Sequence, residues 1–229
     1  MSNNEEIVPI KRILAVDDHE MTAIGYKYIL EDAKFDGFEV LVDTCKTFEN
    51  AKERIENSER LHHYDIFLFD IQLFGPESKD ARTGEDLGKL ARKVAPSSKL
   101  VYMSSFNDAY RIRNIFKTTD PDGYMVKSEI DQASLLEMVN RVLTKPPYFT
   151  ASVLKVMRKT MANSDTVDEQ DKKLLYYLSI GKRSKEIQDI LSISLATINA
   201  RKRHLKEIFN LEKSNDMGLV TEARNRGFI

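Results

Sequence analysis

No stretch of this chain approaches the roughly 20 consecutive apolar residues that a membrane-spanning helix needs, so no membrane partner is expected. Its 229 residues include one cysteine, Cys45, which excludes an internal disulfide and fits a reducing, cytoplasmic setting. The opening residues, MSNNEEIVPIKR, are acidic and polar with no apolar centre, so a secretory signal is not expected. No Gly-x-Gly-x-x-Gly follows the first strand pattern and no Gly-Lys-Ser/Thr phosphate loop occurs, which leaves nucleotide binding unsupported. Residues 168–229 have no strand pattern and only Gly181 and Gly218 before Gly227 at the end.

What is present is a globular composition, 41% apolar and 31% charged, with an uneven charge distribution. Residues 151–229 carry 15 Lys and Arg against 10 Asp and Glu, whereas the net charge of the whole chain is -1. An acidic front and a basic back suggest two domains with different partners, the back one suited to a polyanion.

The front part is organised around Tyr64 to Asp70, where four apolar residues, Ile66 to Phe69, end in a carboxylate. Such a run suits a strand buried on both faces of a parallel sheet. Asp70 then lies at the carboxyl end of its strand, where open α/β sheets keep their ligand sites. An isolated Asp there is ordinarily a turn or cap residue, so its company decides. Strands are expected at Ile13–Val16, Val40–Asp43, Tyr64–Phe69, Leu100–Met103 and Gly123–Val126. The helical stretches between and after them start at Glu20, with Ile24, Tyr28 and Ile29 on one face, and then at Phe48, Glu85, Asp108 and Gln132. In the last of these Leu135, Val139 and Val142 point inward. Five βα units imply a five-stranded, doubly wound parallel sheet, the flavodoxin-like α/β class. All strand ends then share one edge, bringing Asp17, Asp18, Asp70, Ser104 and Lys127 within reach of one another. Three close carboxylates repel unless a cation lies among them, and hard oxygen ligands suit Mg²⁺. A carboxylate nucleophile beside that ion, with Lys127 and Ser104 to meet phosphoryl oxygens, suits acceptance of a phosphoryl group.

Val16-Asp17-Asp18-His19, the Asp70 strand, Val101-Tyr102-Met103-Ser104 and Asp122-Gly123-Tyr124-Met125-Val126-Lys127 resemble, in order and spacing, the receiver domain of two-component response regulators. The resemblance implies that Asp70 is the phosphoacceptor and that Asp17, Asp18 and the backbone carbonyl of Gln72 join it in holding Mg²⁺. It further implies that Lys127 contacts the phosphoryl group and that Ser104 and Tyr124 form the switch pair. Two departures stand out. The loop from Phe74 to Thr83 is longer than the family's by roughly half a dozen residues, and Ser128 replaces the Pro that often follows the Lys.

Lys145-Pro146-Pro147-Tyr148 breaks the last helix of this part. A short helix is expected over Ala151–Met161 and a flexible loop over 162–166, so the receiver is placed at 10–144 and the linker at 145–167. In 168–229 four helices are expected. Asp168 is an N-cap with Asp171 three residues on, and Gly181 stops the first helix. Ser184 caps the second over Lys185–Leu191, the third runs from Leu195 to about Phe209, and the fourth starts at Asn215. Ile198, Leu205, Ile208 and Phe209 form the third helix's apolar stripe, leaving Asn199, Ala200, Lys202, Arg203 and Lys206 toward solvent. A basic helix after a tight turn suits a major groove.

Ser184-Lys185-Glu186-Ile187, Ile193-Ser194, Thr197-Ile198 and 199–209 resemble the LuxR/NarL-type DNA-binding domain. That resemblance implies base-facing roles for Asn199, Ala200 and Arg203 and phosphate contacts for Thr197, Lys202 and Lys206. Asp171 stands where the family usually has Glu, and Arg201 where a His is common. Together the two resemblances imply a NarL-type regulator of promoter DNA, phosphorylated by a sensor histidine kinase, dimeric when active and not itself an enzyme beyond slow self-dephosphorylation. One rival keeps the fold but binds DNA independently of phosphorylation. Another is a Mg²⁺-dependent phosphatase with an aspartyl nucleophile, which needs an acid two residues after it; that position holds Gln72.

Overall fold

The computed structural model describes residues 8–58, 60–74, 82–105, 109–162, 167–211 and 214–229, the side chains of 159–162 excepted. Of the expected flexible loop over 162–166, Ala162 ends a helix and 163–166 lie outside the described residues, as do the middle of the Phe74–Thr83 loop (75–81) and Asp108. Two compact units divide the chain: residues up to 106 with 115–150, and 107–114 with 151 onward.

The first unit alternates strand and helix as the sequence pattern predicts. The elements up to residue 150 are β1 (Ile10–Val16), α1 (Glu20–Asp32), β2 (Glu39–Cys45), α2 (Phe48–Glu56), β3 (Ile66–Asp70), α3 (Gly84–Val94), β4 (Lys99–Ser104), α4 (Ala109–Thr119), β5 (Gly123–Val126), α5 (Gln132–Thr144) and β6 (Tyr148–Phe149), and of these α4 is divided, its residues 109–114 grouping with the second unit. The strand order is β2-β1-β3-β4-β5-β6, with every pairing parallel. Five strands are those expected from the sequence, and β6 is an addition. It is too short to show a side-chain period, and main-chain bonds define it: the Tyr148 N–H donates to the Asp122 carbonyl at 2.9 Å. The first unit consequently runs to residue 150 rather than stopping at 144.

Ile66 to Phe69 are at most 1% exposed, because helices cover both faces of the sheet. Ile66 and Leu68 join Ile13, Ala15, Val101, Met103 and Met125 in a core closed by Leu135, Met138, Val139 and Val142 of α5. The expected inward face of α5 is thus present. On α1 the buried positions are Ala23 and Leu30, with Tyr26 and Ile29 packed beside them, whereas Tyr28 is 70% exposed. This corrects the face assigned to Tyr28: residues 23, 26 and 30 follow the helical repeat across the sheet, and Tyr28 falls outside that stripe.

The second unit holds α6 (Ala151–Ala162), α7 (Glu169–Ser179), α8 (Ser184–Leu191), α9 (Leu195–Ile208) and α10 (Asp216–Asn225). Asp168 caps α7, its Oδ1 accepting the Asp171 N–H at 2.7 Å. Gly181, at φ +83, turns the chain out of α7 in the left-handed region that glycine favours. Arg183, not Ser184, is the N-cap of α8: Glu186 Oε2 accepts the Arg183 N–H at 2.9 Å, which draws the helix start back by one residue. Ser192, at φ 54, ends α8, and Ser194 Oγ accepts the Thr197 N–H at 3.1 Å to start α9, so two helices meet across the expected short turn. Leu174, Leu175, Ile187, Ile198, Leu205, Phe209, Leu219 and Phe228 form the shared core.

Candidate functional site

β1 and β3 are neighbours although β2 lies between them in the chain, so the sheet's winding direction reverses at their carboxyl ends. Asp17 follows β1 and Asp70 ends β3, both within this crevice. Asp17 is 2% and Asp70 4% exposed. Lys127, immediately after β5, reaches across: its Nζ donates to Asp17 Oδ2 at 2.7 Å and to Asp70 Oδ2 at 2.8 Å. Main-chain donors hold the remaining oxygens in place. Asp17 Oδ1 accepts the His19 N–H at 3.0 Å, and Asp70 Oδ1 accepts the Gln72 N–H at 3.1 Å.

Burial pushes the Asp70 carboxyl above its ordinary value, and the negative charge of Asp17 adds to the rise; Lys127 and the Gln72 N–H oppose it. Burial also works against the Lys127 ammonium, but its two carboxylate partners more than compensate and hold it charged. Lys127 offsets one of three carboxylate charges, since Asp18 stands beside Asp17. Ligand atoms of Asp17, Asp18, His19 and Asp70 lie within 4.8 Å of one another. The two uncompensated charges and the three carboxylates in this group fit a divalent cation such as Mg²⁺.

Ser104, one residue beyond the Asp70 partner on β4, is buried, and Tyr124 on β5 is fully buried beside Tyr102. The structure therefore brings Asp17, Asp18, Asp70 and Lys127 together as expected, with Ser104 at the same sheet edge. Two neighbours escaped the sequence reading. His19 joins the cluster, its Nδ1 2.7 Å from Asp18 Oδ1, and was legible only as the next residue of the motif. Tyr26, one turn along the inward face of α1, has its hydroxyl pushed upward by burial and by the charges of Asp17 and Asp70. No spacing rule links it to the site.

The chain returns from the long loop tightly against this strand. Gly84 donates its N–H to the Ile71 carbonyl at 3.0 Å, and a Cβ on Gly84 would stand 2.0 Å from the Asp70 carbonyl oxygen. Just before it, Arg82 pairs with Glu49 at 2.5 Å and lays its guanidinium 4.4 Å over the Phe48 ring, fixing the described end of the loop to α2.

On α9, Thr197, Asn199, Ala200 and Arg203 are exposed, and Lys206 is half-buried. Lys202 differs from its expected outward place. Its side chain is 13% exposed, pairs with Asp216 of α10 and donates to Ser184 Oγ of α8 at 3.3 Å. The helix period alone puts it outside; Asp216, at the start of α10, supplies the carboxylate that draws it in. Arg201 Nη1 bonds both Asp168 Oδ2 and Asp171 Oδ1 at 2.8 Å, and Nη2 bonds Gln170 Oε1 at 2.6 Å. The two departures at positions 171 and 201 are thus one interaction, a shorter acid met by a longer base.

A doubly wound sheet with an acidic crevice, followed by a helix-turn-helix unit, is the design of two-component response regulators. No family model matches the chain. It is 25% identical over 210 residues to the response regulator protein VraR of Staphylococcus saprophyticus, covering 89% of this chain and 90% of that protein. It is 23% identical over 223 residues to the transcriptional regulatory protein MctR of Rhizobium johnstonii, covering 96% of each. The solved structure of two RcsB dimers bound to two parallel DNAs shares the fold at a TM-score of 0.60 and 19% identity, over 93% of this chain and 98% of that one. In fold, and in sequence along nearly its whole length, the chain is similar to response regulators of the NarL/LuxR type. Among the described residues, no helix is long and apolar enough to cross a membrane.

Proposed function

We propose that Asp70 accepts a phosphoryl group from a sensor histidine kinase and that this modification sets the affinity of α9 for promoter DNA. The observation that carries the reading is Lys127 held between the buried Asp17 and Asp70 carboxylates. An Asp70 carboxylate oxygen attacks phosphorus, the bond from phosphorus to the donor imidazole breaks, and the imidazole takes up a proton. Asp17, Asp18, Asp70 and the Gln72 carbonyl would hold Mg²⁺, which when bound neutralises charge on the phosphoryl oxygens. The Lys127 ammonium, already at Asp70, meets one of those oxygens, and the Ser104 hydroxyl donates to another. Gln72 has no acidic proton to give a leaving group, so the chain acts as an acceptor with slow self-dephosphorylation rather than as a phosphatase.

In this reading residues 10–144, extended by β6, are the receiver, 145–167 the linker, and 168–229 the DNA-binding domain, which pairs on DNA as a homodimer. Asn199, Ala200 and Arg203 face bases while Thr197 and Lys206 meet phosphates; Lys202 supports the helix from behind. Incubation with labelled acetyl phosphate and Mg²⁺ should label the wild type and leave Asp70→Asn unlabelled. Equal labelling of the two would remove Asp70 from its role. Equal affinity for DNA fragments selected with the protein, with and without beryllofluoride, would favour the phosphorylation-independent rival.

A further inference from the structure

The two-residue strand β6 makes more of its contacts with the switch strand than its length suggests. Strand β5 carries both Tyr124 and, one residue past its end, Lys127. Phe149 lies in register with Tyr124, and the Thr150 N–H donates to the Tyr124 carbonyl at 3.2 Å. One step further, the Val126 N–H donates to Thr150 Oγ1 at 3.2 Å, in a buried setting. If β6 continued, the carbonyl of Thr150 would take that place on a parallel ladder. With the hydroxyl there instead, β5 stays bonded up to the residue before Lys127 while the chain turns from Thr150 into Ala151, the first residue of α6.

The side chains repeat this connection. The Phe149 ring is 5.0 Å from Phe116 of α4, and Phe116 stacks 6.4 Å from Tyr124, which itself lies 6.4 Å from Tyr102. Tyr124 is fully buried in this row, so its ring cannot change rotamer without moving Phe116, and through it Phe149. Both parts of β5 that respond to the acceptor site are therefore tied to the same two residues, Tyr124 through rings and Lys127 through the Val126 amide.

We propose that Phe149 and Thr150 are coupling residues that pass a change at Tyr124 or Lys127 into the backbone entering α6. This rests on Asp70 being the phosphoacceptor. The test is amide hydrogen exchange on the full chain with Mg²⁺, with and without beryllofluoride, in the wild type, Thr150→Val, Thr150→Ser and Phe149→Leu. In the wild type, exchange should change at 66–74 and 123–127 and, by a factor of about five or more, at 151–158. Thr150→Val, which keeps the shape and loses the hydroxyl, should retain the change at 66–74 and lose it at 151–158. Thr150→Ser should restore it, and Phe149→Leu, which keeps apolar volume without the ring contact, should show the same loss. A full response at 151–158 in both Thr150→Val and Phe149→Leu overturns the proposal, as does a wild type that responds at 66–74 but not at 151–158. A wild type with no response at 66–74 overturns the phosphoacceptor reading itself.

Discussion

Gly84→Ala separates an ordinary helix glycine from one that shapes the Asp70 crevice. Gly84 is the first residue of α3, and its φ lies outside the left-handed region, so alanine meets no backbone strain there. In free space the change would favour the helix by about 0.5–1 kcal/mol. Here the new Cβ would lie 2.0 Å from the Asp70 carbonyl oxygen, 2.9 Å from its carbon and 3.2 Å from Ile71 Cα. An ordinary carbon–oxygen contact is about 3.3 Å, so the backbone must separate by more than about 1 Å. Every atom in the way is main chain, and no side chain can rotate aside. Overpacking of this kind costs about 1–3 kcal/mol, and the Gly84 N–H bond to the Ile71 carbonyl, worth about 1 kcal/mol, is strained with it. The net expectation is a loss of about 2–3 kcal/mol.

Amide exchange of β3 reads the stability of this unit directly, and a loss of that size speeds it by about 30- to 150-fold. Because the Asp70 carbonyl is what moves, labelling by acetyl phosphate should also slow under conditions where the variant is fully folded. Gly25→Ala is the control. Gly25 sits inside α1 with nothing within 4 Å of its Cβ position, so the same substitution should stabilise by about 0.5–1 kcal/mol and slow exchange. Effects of the same sign at the two positions would refute the reasoning.

Three further expectations follow from the ion pairs. Burial alone would raise the Asp122 carboxyl, but the Leu100 N–H, Arg92 and Lys99 hold it below its ordinary value. Its contribution is therefore present above about pH 4 and lost as the pH falls through the depressed folded value; Asp122→Asn should be less stable than wild type at pH 7, with the gap closing in urea titrations toward acid. Arg201→His and Asp171→Glu should each destabilise the helical unit by about 1–2 kcal/mol, below the cost of breaking a fully buried pair. The double variant should recover most of that in thermal melts, whereas additive losses would deny that the two positions form one interaction. Arg203→Ala should weaken binding to selected DNA and lower the salt slope by about one; Lys202→Ala should instead lower the melting temperature, and an unchanged melt with a reduced slope would return Lys202 to the DNA face.

The parts of this protein that were readable in its sequence are those whose cause is local. Ile66 to Phe69 ending in Asp70 declares both a doubly covered strand and the end of it that meets the crevice, because burial on two faces leaves no room for a polar residue before it. Lys127 was readable for the same reason, since a strand of four apolar-compatible residues leads straight into it. β6 was not: two residues show no period, and the bonds that define it come from the backbone of Asp122 and Tyr124. Lys202 was misplaced because helical spacing ranks faces within one helix, while its direction is set by Asp216 on another.

Arg201 and Asp171 make the sharper case. Taken singly, each is a departure from the family pattern, one a shorter acid that alters a salt bridge and the other a base whose role stays open. The guanidinium is longer than an imidazole by about what the aspartate lacks against a glutamate, and it reaches Asp168 and Gln170 as well. It therefore ties the start of α7 to α9 at three points, including the residue that caps α7. A pair of departures thirty positions apart is invisible to any local rule, yet it fixes how α9 is mounted on α7. Two departures whose sizes compensate are best tested as a contact before either is treated as a weakness.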